Sequence, residues 1–436
     1  MTSAVSSLLD LPLLSGGLPL AISLAGLAAA VLLAWPRDRR WWRREVPLVV
    51  GVAAAGAGAT ALLLNVVWRP FPDTLPARLF VWAGVAAAAL LAAGLHLARR
   101  GRLFRLLAVP ATVLVLATCG VKINAIYGYY PTTREALGIS VANAVDLAQV
   151  PRPAAHVVGL AGWRPPPNLP QRGGIAEVQI PGTTSGFSAR SGIVYLPPAA
   201  LVPDAPRLPV LVLIAGSPGG PRDWLTAGRL VDVMDRFAAA HHGIAPVVVV
   251  PDATGERFAN PLCMDSRRGN AETYLRRDVP DWAKRTLNVD PDPSRWAIAG
   301  FSYGGTCALQ LAVRAPEVYP TFLDIGGQDE PSISTREQTI RELFDGDAAR
   351  FHAVNPLDLL ATRRYDGTSG TVVVGSDEGA DVPRAKRLAE VATASGMRVR
   401  FLVLPGGHSW TVATAGLQLA LPDIADRAGI PPSTSG

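Results

Sequence analysis

Acidic residues are missing where this chain is most apolar, and cysteine is scarce throughout. Only three cysteines occur among 436 residues, with no Cys-x-x-Cys and no Cys/His spacing suited to a metal. Zinc modules are thereby excluded, and neither a metal nor a cofactor is expected. Cys119 lies in an apolar stretch, while Cys263 and Cys307 both fall in the C-terminal part of the chain. A Cys263–Cys307 disulfide is permitted outside the cytoplasm, and two small buried thiols fit equally well. Nor does the second part of the chain carry surplus positive charge. Residues 1–123 hold 12 Lys+Arg against 4 Asp+Glu, a surplus of 8, and residues 124–436 hold 29 against 31, a deficit of 2. No basic face remains for nucleic acid, so none is expected as a partner. The first ten residues have no Lys or Arg and three further apolar runs follow the first, so the N-terminal run reads as retained rather than as a signal peptide.

What is present first is apolar length. Leu18–Trp35, Leu48–Trp68, Leu79–Ala98 and Leu103–Ile123 each approach the roughly 20 residues that cross a bilayer. Arg37, Arg39, Arg40, Arg43 and Arg44 separate the first two runs, and Arg99, Arg100 and Arg102 the last two, with Arg105 just inside the fourth. Only Arg69 and Arg78 lie between the second and third. The positive-inside bias puts the first and third loops in the cytoplasm, and both termini outside. No Asp or Glu lies within a run, so the four helices are expected to anchor rather than transport. His96 and Lys122 lie near run ends, where snorkelling accounts for them. The expected organisation is a four-span transmembrane domain at 1–123, an extracytoplasmic linker at 124–172 and a catalytic domain at 173–436.

The linker is proline-rich, as in Trp163-Arg164-Pro165-Pro166-Pro167, with a short helix expected around Ala142–Leu147. Beyond it, short β-rich runs alternate with helical stretches. Candidate strands are Gly192–Leu196, Val210–Ile214, Pro246–Val250, Trp296–Ala299, Thr321–Ile325, Thr371–Val374 and Val399–Leu404. Near-continuous Val/Ile/Leu strands between helices imply a parallel sheet covered on both faces, an α/β fold.

Chemistry enters with Gly300-Phe301-Ser302-Tyr303-Gly304, a Gly-x-Ser-x-Gly entered by a β-run and left by a helix over Thr306 to Arg314. In that context the pattern is a nucleophile elbow, which exposes the Ser302 hydroxyl at the sheet's C-terminal edge. A serine needs a base. Six histidines allow elimination. His96 is in an apolar run, His156 in the linker, His241 and His242 end a helix, and His352 lies in another. Only His408 follows a late β-run, and the order Ser, acid, His matches this fold. The acid should leave the strand Thr371–Val374, where Glu378 and Asp377 stand level and Asp381 trails. The oxyanion donors expected are the backbone N–H of Tyr303 and that of Ser217, since Pro218 has no N–H; Gly219 is the fallback.

At these residues the chain resembles the esterase-D-like branch of the α/β-hydrolases, and within it the secreted mycolyltransferases of mycolic-acid bacteria. The likeness runs from about Gly186 to Leu419 through Ala271-Glu-Thr-Tyr-Leu275, Asp278-Val-Pro-Asp-Trp282, Gly300–Gly305, Pro316 to Tyr319, Gly326 to Ser332 and His408-Ser409-Trp410. The resemblance implies Ser302 as nucleophile, His408 as base, Glu378 or Asp377 as acid, and Ser217 and Tyr303 as donors. It departs at Ala215 and Pro218, where those relatives carry the acid and arginine they use on a sugar acceptor. The expectation is therefore a multi-pass membrane esterase facing outward, hydrolysing a lipid-linked or cell-envelope ester. Acyl transfer to an envelope alcohol is the near alternative. A silent membrane-anchored sensor or interaction module is the distant one, and nucleophile, acid and base present in order speak against it.

Overall fold

Uninterrupted Leu, Ala and Val runs leave the backbone no better solution than internal hydrogen bonding, and the first part of the chain is accordingly helical. The computed structural model describes residues 7–35, 39–99, 102–139, 143–151 and 159–432. Arg37, Arg100, Ala142 and His156 lie outside the described residues. The chain divides into two compact units, Met1–Ser140 and Val141–Gly436.

In the first unit, helices α1 (Gly17–Ala34), α2 (Trp41–Val67), α3 (Ala77–Arg99) and α4 (Arg102–Tyr127) include four stretches long and apolar enough to cross a membrane. Small residues let them approach. A Cβ at Gly26 would lie 2.0 Å from Thr118 Oγ1, and that hydroxyl donates to Ile22 O across the helix pair at 2.9 Å. Trp41 and Trp42 lie at the start of α2. Trp41 is buried, donates from Nε1 to Ala34 O, and packs its ring 4.8 Å from His96. His96, expected to snorkel, does not. It is 1% exposed, with Nε2 2.7 Å from Leu33 O, because the bundle interior supplies both a carbonyl and an aromatic face. Leu13 N–H donates to Pro131 O and Thr133 N–H to Leu11 O, so both ends of the bundle meet on one side.

The second unit is built on an eight-stranded sheet. Its strands are β1 (Gly174–Val178), β2 (Gly192–Leu196), β3 (Val210–Ile214), β4 (Val247–Val250), β5 (Trp296–Phe301), β6 (Thr321–Ile325), β7 (Ser369–Gly375) and β8 (Arg398–Leu404). The order is β1-β2-β4-β3-β5-β6-β7-β8, with β2 antiparallel to both of its neighbours and the rest parallel. This is the mostly parallel α/β-hydrolase sheet expected. All of β2 to β6 is buried, as strands covered on both faces must be. The edge strand β1 was not anticipated. The proline-rich stretch before it lies against this unit: Val145, Leu147, Val150, Leu160 and Leu169 pack on the core, and Trp163 Nε1 donates to His242 O. In place of the helix expected near residue 142 there is one 3-10 turn, Leu147–Gln149, because Asp146 caps it by accepting Ala148 N–H.

Parallel pairing aligns Ile214 with Gly300, Phe301 with Ile325, and Gly375 with Leu404. The turns that follow β3, β5, β6, β7 and β8 therefore leave from one edge, where α/β folds place their sites.

Candidate active site

Ser302 sits between β5 and helix α5 (Tyr303–Arg314) with φ 58° and ψ −121°, a left-handed conformation that side chains other than glycine rarely adopt. The flanking glycines explain how the turn closes. A Cβ at Gly300 would fall 2.2 Å from the Gly304 carbonyl, and one at Gly304 would fall 2.2 Å from Ile214 O. The Ser302 N–H is held by Ile325 O at 2.8 Å, which locks the bend to the neighbouring strand. The far end of α5 is tied down by Arg314, whose Nε and Nη2 donate to both oxygens of buried Glu272 at 2.9 and 2.7 Å.

His408 follows β8, and its imidazole reaches the same edge. The ring stacks on Phe301, the residue before Ser302, at 4.8 Å. A Cβ at Gly326 would lie 3.1 Å from its Nδ1, so that glycine leaves room for the ring. Nδ1 is 2.8 Å from Glu378 Oε2. Glu378 is nearly buried, and its other oxygen accepts Gly375 N–H at 2.5 Å. Both carboxylate oxygens are thereby used, one on the backbone and one on the imidazole, which fixes the ring's tautomer. Asp377 is exposed, and its carboxylate accepts Ser376 Oγ–H; Asp381 pairs with Arg384. Of the acids considered, Glu378 is the one brought to His408. The other described histidines serve elsewhere. His241 Nδ1 lies 2.7 Å from Phe237 O, and exposed His352 pairs with Asp358.

The Ser409-Trp410 pair after the histidine also has a local role. Ser409 caps helix α6 (Trp410–Arg427), and Trp410 packs 5.0 Å from Phe301 and edge-on to Trp224. These contacts orient the His408 loop whatever the acyl acceptor.

The turn after β3 lies beside the nucleophile: a Cβ at Gly216 would be 3.4 Å from Ser302 Cβ. Ser217 Oγ donates to Ala259 O, and Gly219 N–H donates to Arg257 O, so the Gly219 amide is already engaged. Tyr303 N–H is the first of α5, a position with no acceptor inside its own helix. Three residues not singled out from the sequence hold this turn. Arg190 Nη2 donates to Gly219 O, Asp223 accepts Gly220 N–H, and buried Asp252 accepts from Arg190 Nε and Nη2 at 2.9 and 2.8 Å. Burial pushes the Asp252 carboxyl up, but the Arg190 hydrogen bonds and charge outweigh it and hold it below the usual range. A further acid, Asp324 on β6, is 1% exposed with Oδ1 accepting Gly327 N–H and Oδ2 unpartnered. Burial, with smaller contributions from Glu378 and Asp329, pushes its carboxyl up to about 7. Among the described residues no group of His, Cys, Asp and Glu is arranged to hold a metal.

Comparison with known proteins bears on the family and the fold. The Esterase family model matches residues 188–424. A Corynebacterium glutamicum protein described only as uncharacterized is 36% identical over 432 residues, covering 95% of this chain and 97% of its own. Among solved structures, a ferulic acid esterase aligns with a TM-score of 0.51 at 19% identity, over 59% of this chain and 98% of that one. The S-formylglutathione hydrolase of Agrobacterium tumefaciens aligns at 0.50 and 18%, over 60% and 98%. At such identities the two structures speak for the fold alone.

Proposed function

Because this chain belongs to the esterase family of α/β-hydrolases, we propose that it is a membrane-anchored serine esterase with a Ser302–His408–Glu378 triad. Ser302 Oγ attacks the ester carbonyl and passes its proton to His408 Nε2, while Glu378 stabilises the imidazolium through Nδ1. The oxyanion accepts the backbone N–H groups of Tyr303 and Ser217. His408 then protonates the departing alcohol, and a water that it activates releases the acid. The observation that carries this reading is the 2.8 Å contact between His408 Nδ1 and Glu378, on a ring stacked against the residue before the strained serine.

The anchor reading is supported by the outward face of the four helices, where Leu20, Leu24, Leu27, Leu48, Leu62, Leu90 and Val113 are all more than half exposed. Patches of that size mark a membrane or partner surface. Arginine bias in the loops favours an extracytoplasmic catalytic unit, and the Cys263–Cys307 disulfide suits an oxidising compartment. A tethered site meets lipid-borne molecules at raised effective concentration. The substrate class proposed is accordingly a lipid-linked or cell-envelope ester. The test is hydrolysis of esters of graded chain length by the full protein in vesicles, with and without added alcohol acceptors. Release of free acid that Ser302→Ala abolishes is expected. Transfer to an acceptor in preference to water would make the protein an acyltransferase instead.

A further inference from the structure

The nucleophile helix and the turn carrying Ser217 are separate elements, yet one segment between them touches both. Residues 251–264 follow β4 and are fastened to α5 at three points. The Tyr303 phenol donates to Ala253 O and accepts Cys263 N–H, both at 3.1 Å, so one buried hydroxyl pins both ends of the segment. One turn further along α5, Cys307 is joined to Cys263 by the disulfide. A turn beyond, Gln310 Nε2 donates to Leu262 O at 3.0 Å. On its other side the segment meets the turn after β3. Arg257 O accepts Gly219 N–H at 3.0 Å, and Ala259 O accepts Ser217 Oγ–H at 3.0 Å. Arg190 closes the frame by donating to Gly219 O, Thr254 Oγ1 and Asp252.

We propose that residues 251–264 are a strut that sets the distance between the two halves of the oxyanion site, with Tyr303, Gln310 and the Cys263–Cys307 bond as its positioning residues. The proposal rests on Tyr303 and Ser217 being the oxyanion donors. Donors of that kind must stand about 2.7–3.1 Å from the developing charge with little tolerance, and a misplacement of about 1 Å costs on the order of 100-fold in rate. A loop of that length would not hold such tolerance unaided. Leu262 and Cys263 both take positive φ, 60° and 50°, which bulky residues keep only where surrounding contacts over-determine them. Both cysteines are essentially inaccessible, at 1% and 0% exposure, so the disulfide is a fixed clamp and not a redox switch.

The experiment compares full-length wild type, Cys263→Ala/Cys307→Ala, Tyr303→Phe and Gln310→Met by hydrogen–deuterium exchange and by p-nitrophenyl butyrate kinetics, below each variant's melting temperature. The strut predicts faster exchange, by about 10-fold or more, confined to peptides covering 216–220 and 251–264. It also predicts that kcat falls by at least about 10-fold while KM stays within about two-fold. The Tyr303→Phe effect should shrink when the disulfide is already absent, because the two act on one segment. Unchanged exchange at 216–220 in a folded variant would overturn the proposal. So would acceleration spread evenly over the second unit, which would mean general destabilisation. Should the double cysteine variant not fold, Tyr303→Phe and Gln310→Met carry the same test. If wild type neither turns over nor labels with a fluorophosphonate, the catalytic reading fails, and the exchange pattern still decides the strut.

Discussion

The two units handle apolar surface in opposite ways. Among the described residues, Phe258, Val403 and Leu419 are the large hydrophobic side chains exposed on the second unit, whereas 28 are exposed on the first. The sheet unit turns its Val, Ile and Leu inward and gathers polar groups at one strand edge. The bundle keeps Ala, Gly and Thr at its helix contacts and turns Leu and Val outward. Burial thus runs in opposite senses in the two units. In the first, close backbone approach and an interhelical Thr118 hydrogen bond hold helices together; in the second, exclusion of water from a continuous core does so.

The sharpest way to break this contrast is at the sheet edge. Ser302→Ala should lower kcat/KM by about 10⁴-fold or more, and His408→Ala by a similar factor, with melting temperature and membrane retention unchanged. A loss of activity from bundle substitutions as large as that would mean the first unit is more than an anchor. The next effect sharpens the site itself. Glu378→Gln should cost about 10³- to 10⁴-fold in kcat, while Asp377→Asn should cost less than about three-fold. Comparable losses would mean that the acid is shared.

That adjacent pair illustrates what could be read without coordinates. Strands buried on both faces, such as Val210–Ile214 and Thr321–Ile325, were legible to the residue, and the elbow was legible in its place between strand and helix. Which of Asp377 and Glu378 turns inward depends on the Gly375–Glu378 turn, where Glu378 folds back on the Gly375 amide, and a one-residue choice of that kind leaves no trace in composition. The edge strand β1 escaped because Gly174-Ile-Ala-Glu-Val178 is short and its partner lies 14 to 22 residues away along the chain. Arg190 and Asp252, which brace the turn after β3, are separated by 62 positions and meet only through the sheet. His96 was misjudged because proximity to a helix end suggested the interface, while the carbonyl it contacts belongs to another helix.

Buried charge gives a smaller, pH-dependent effect. The Asp324 carboxyl stands near 7 in the folded protein against about 3.9 in an unfolded chain. Folding therefore favours its protonated form, and the associated stability is complete below the unfolded value and is lost as pH rises through about 7. Removing the acid with Asp324→Asn should leave stability near that of wild type at about pH 4 and improve it by up to ~4 kcal/mol at about pH 8. Melting curves across that range check it; a gap independent of pH would mean Asp324 does not titrate there. In the bundle, Leu27→Arg on the outward face should raise the cost of insertion by about 3 kcal/mol and release protein into the alkaline-carbonate supernatant. Full retention would show that this face does not meet lipid.

The account turns on whether the Ser302 hydroxyl is activated by His408. Fluorophosphonate labelling of the full protein in detergent measures that directly. Wild type should label at one site, Ser302→Ala should not label, and His408→Ala should label at least about 100-fold more slowly. An unlabelled but folded wild type, or undiminished labelling in either variant, would contradict it.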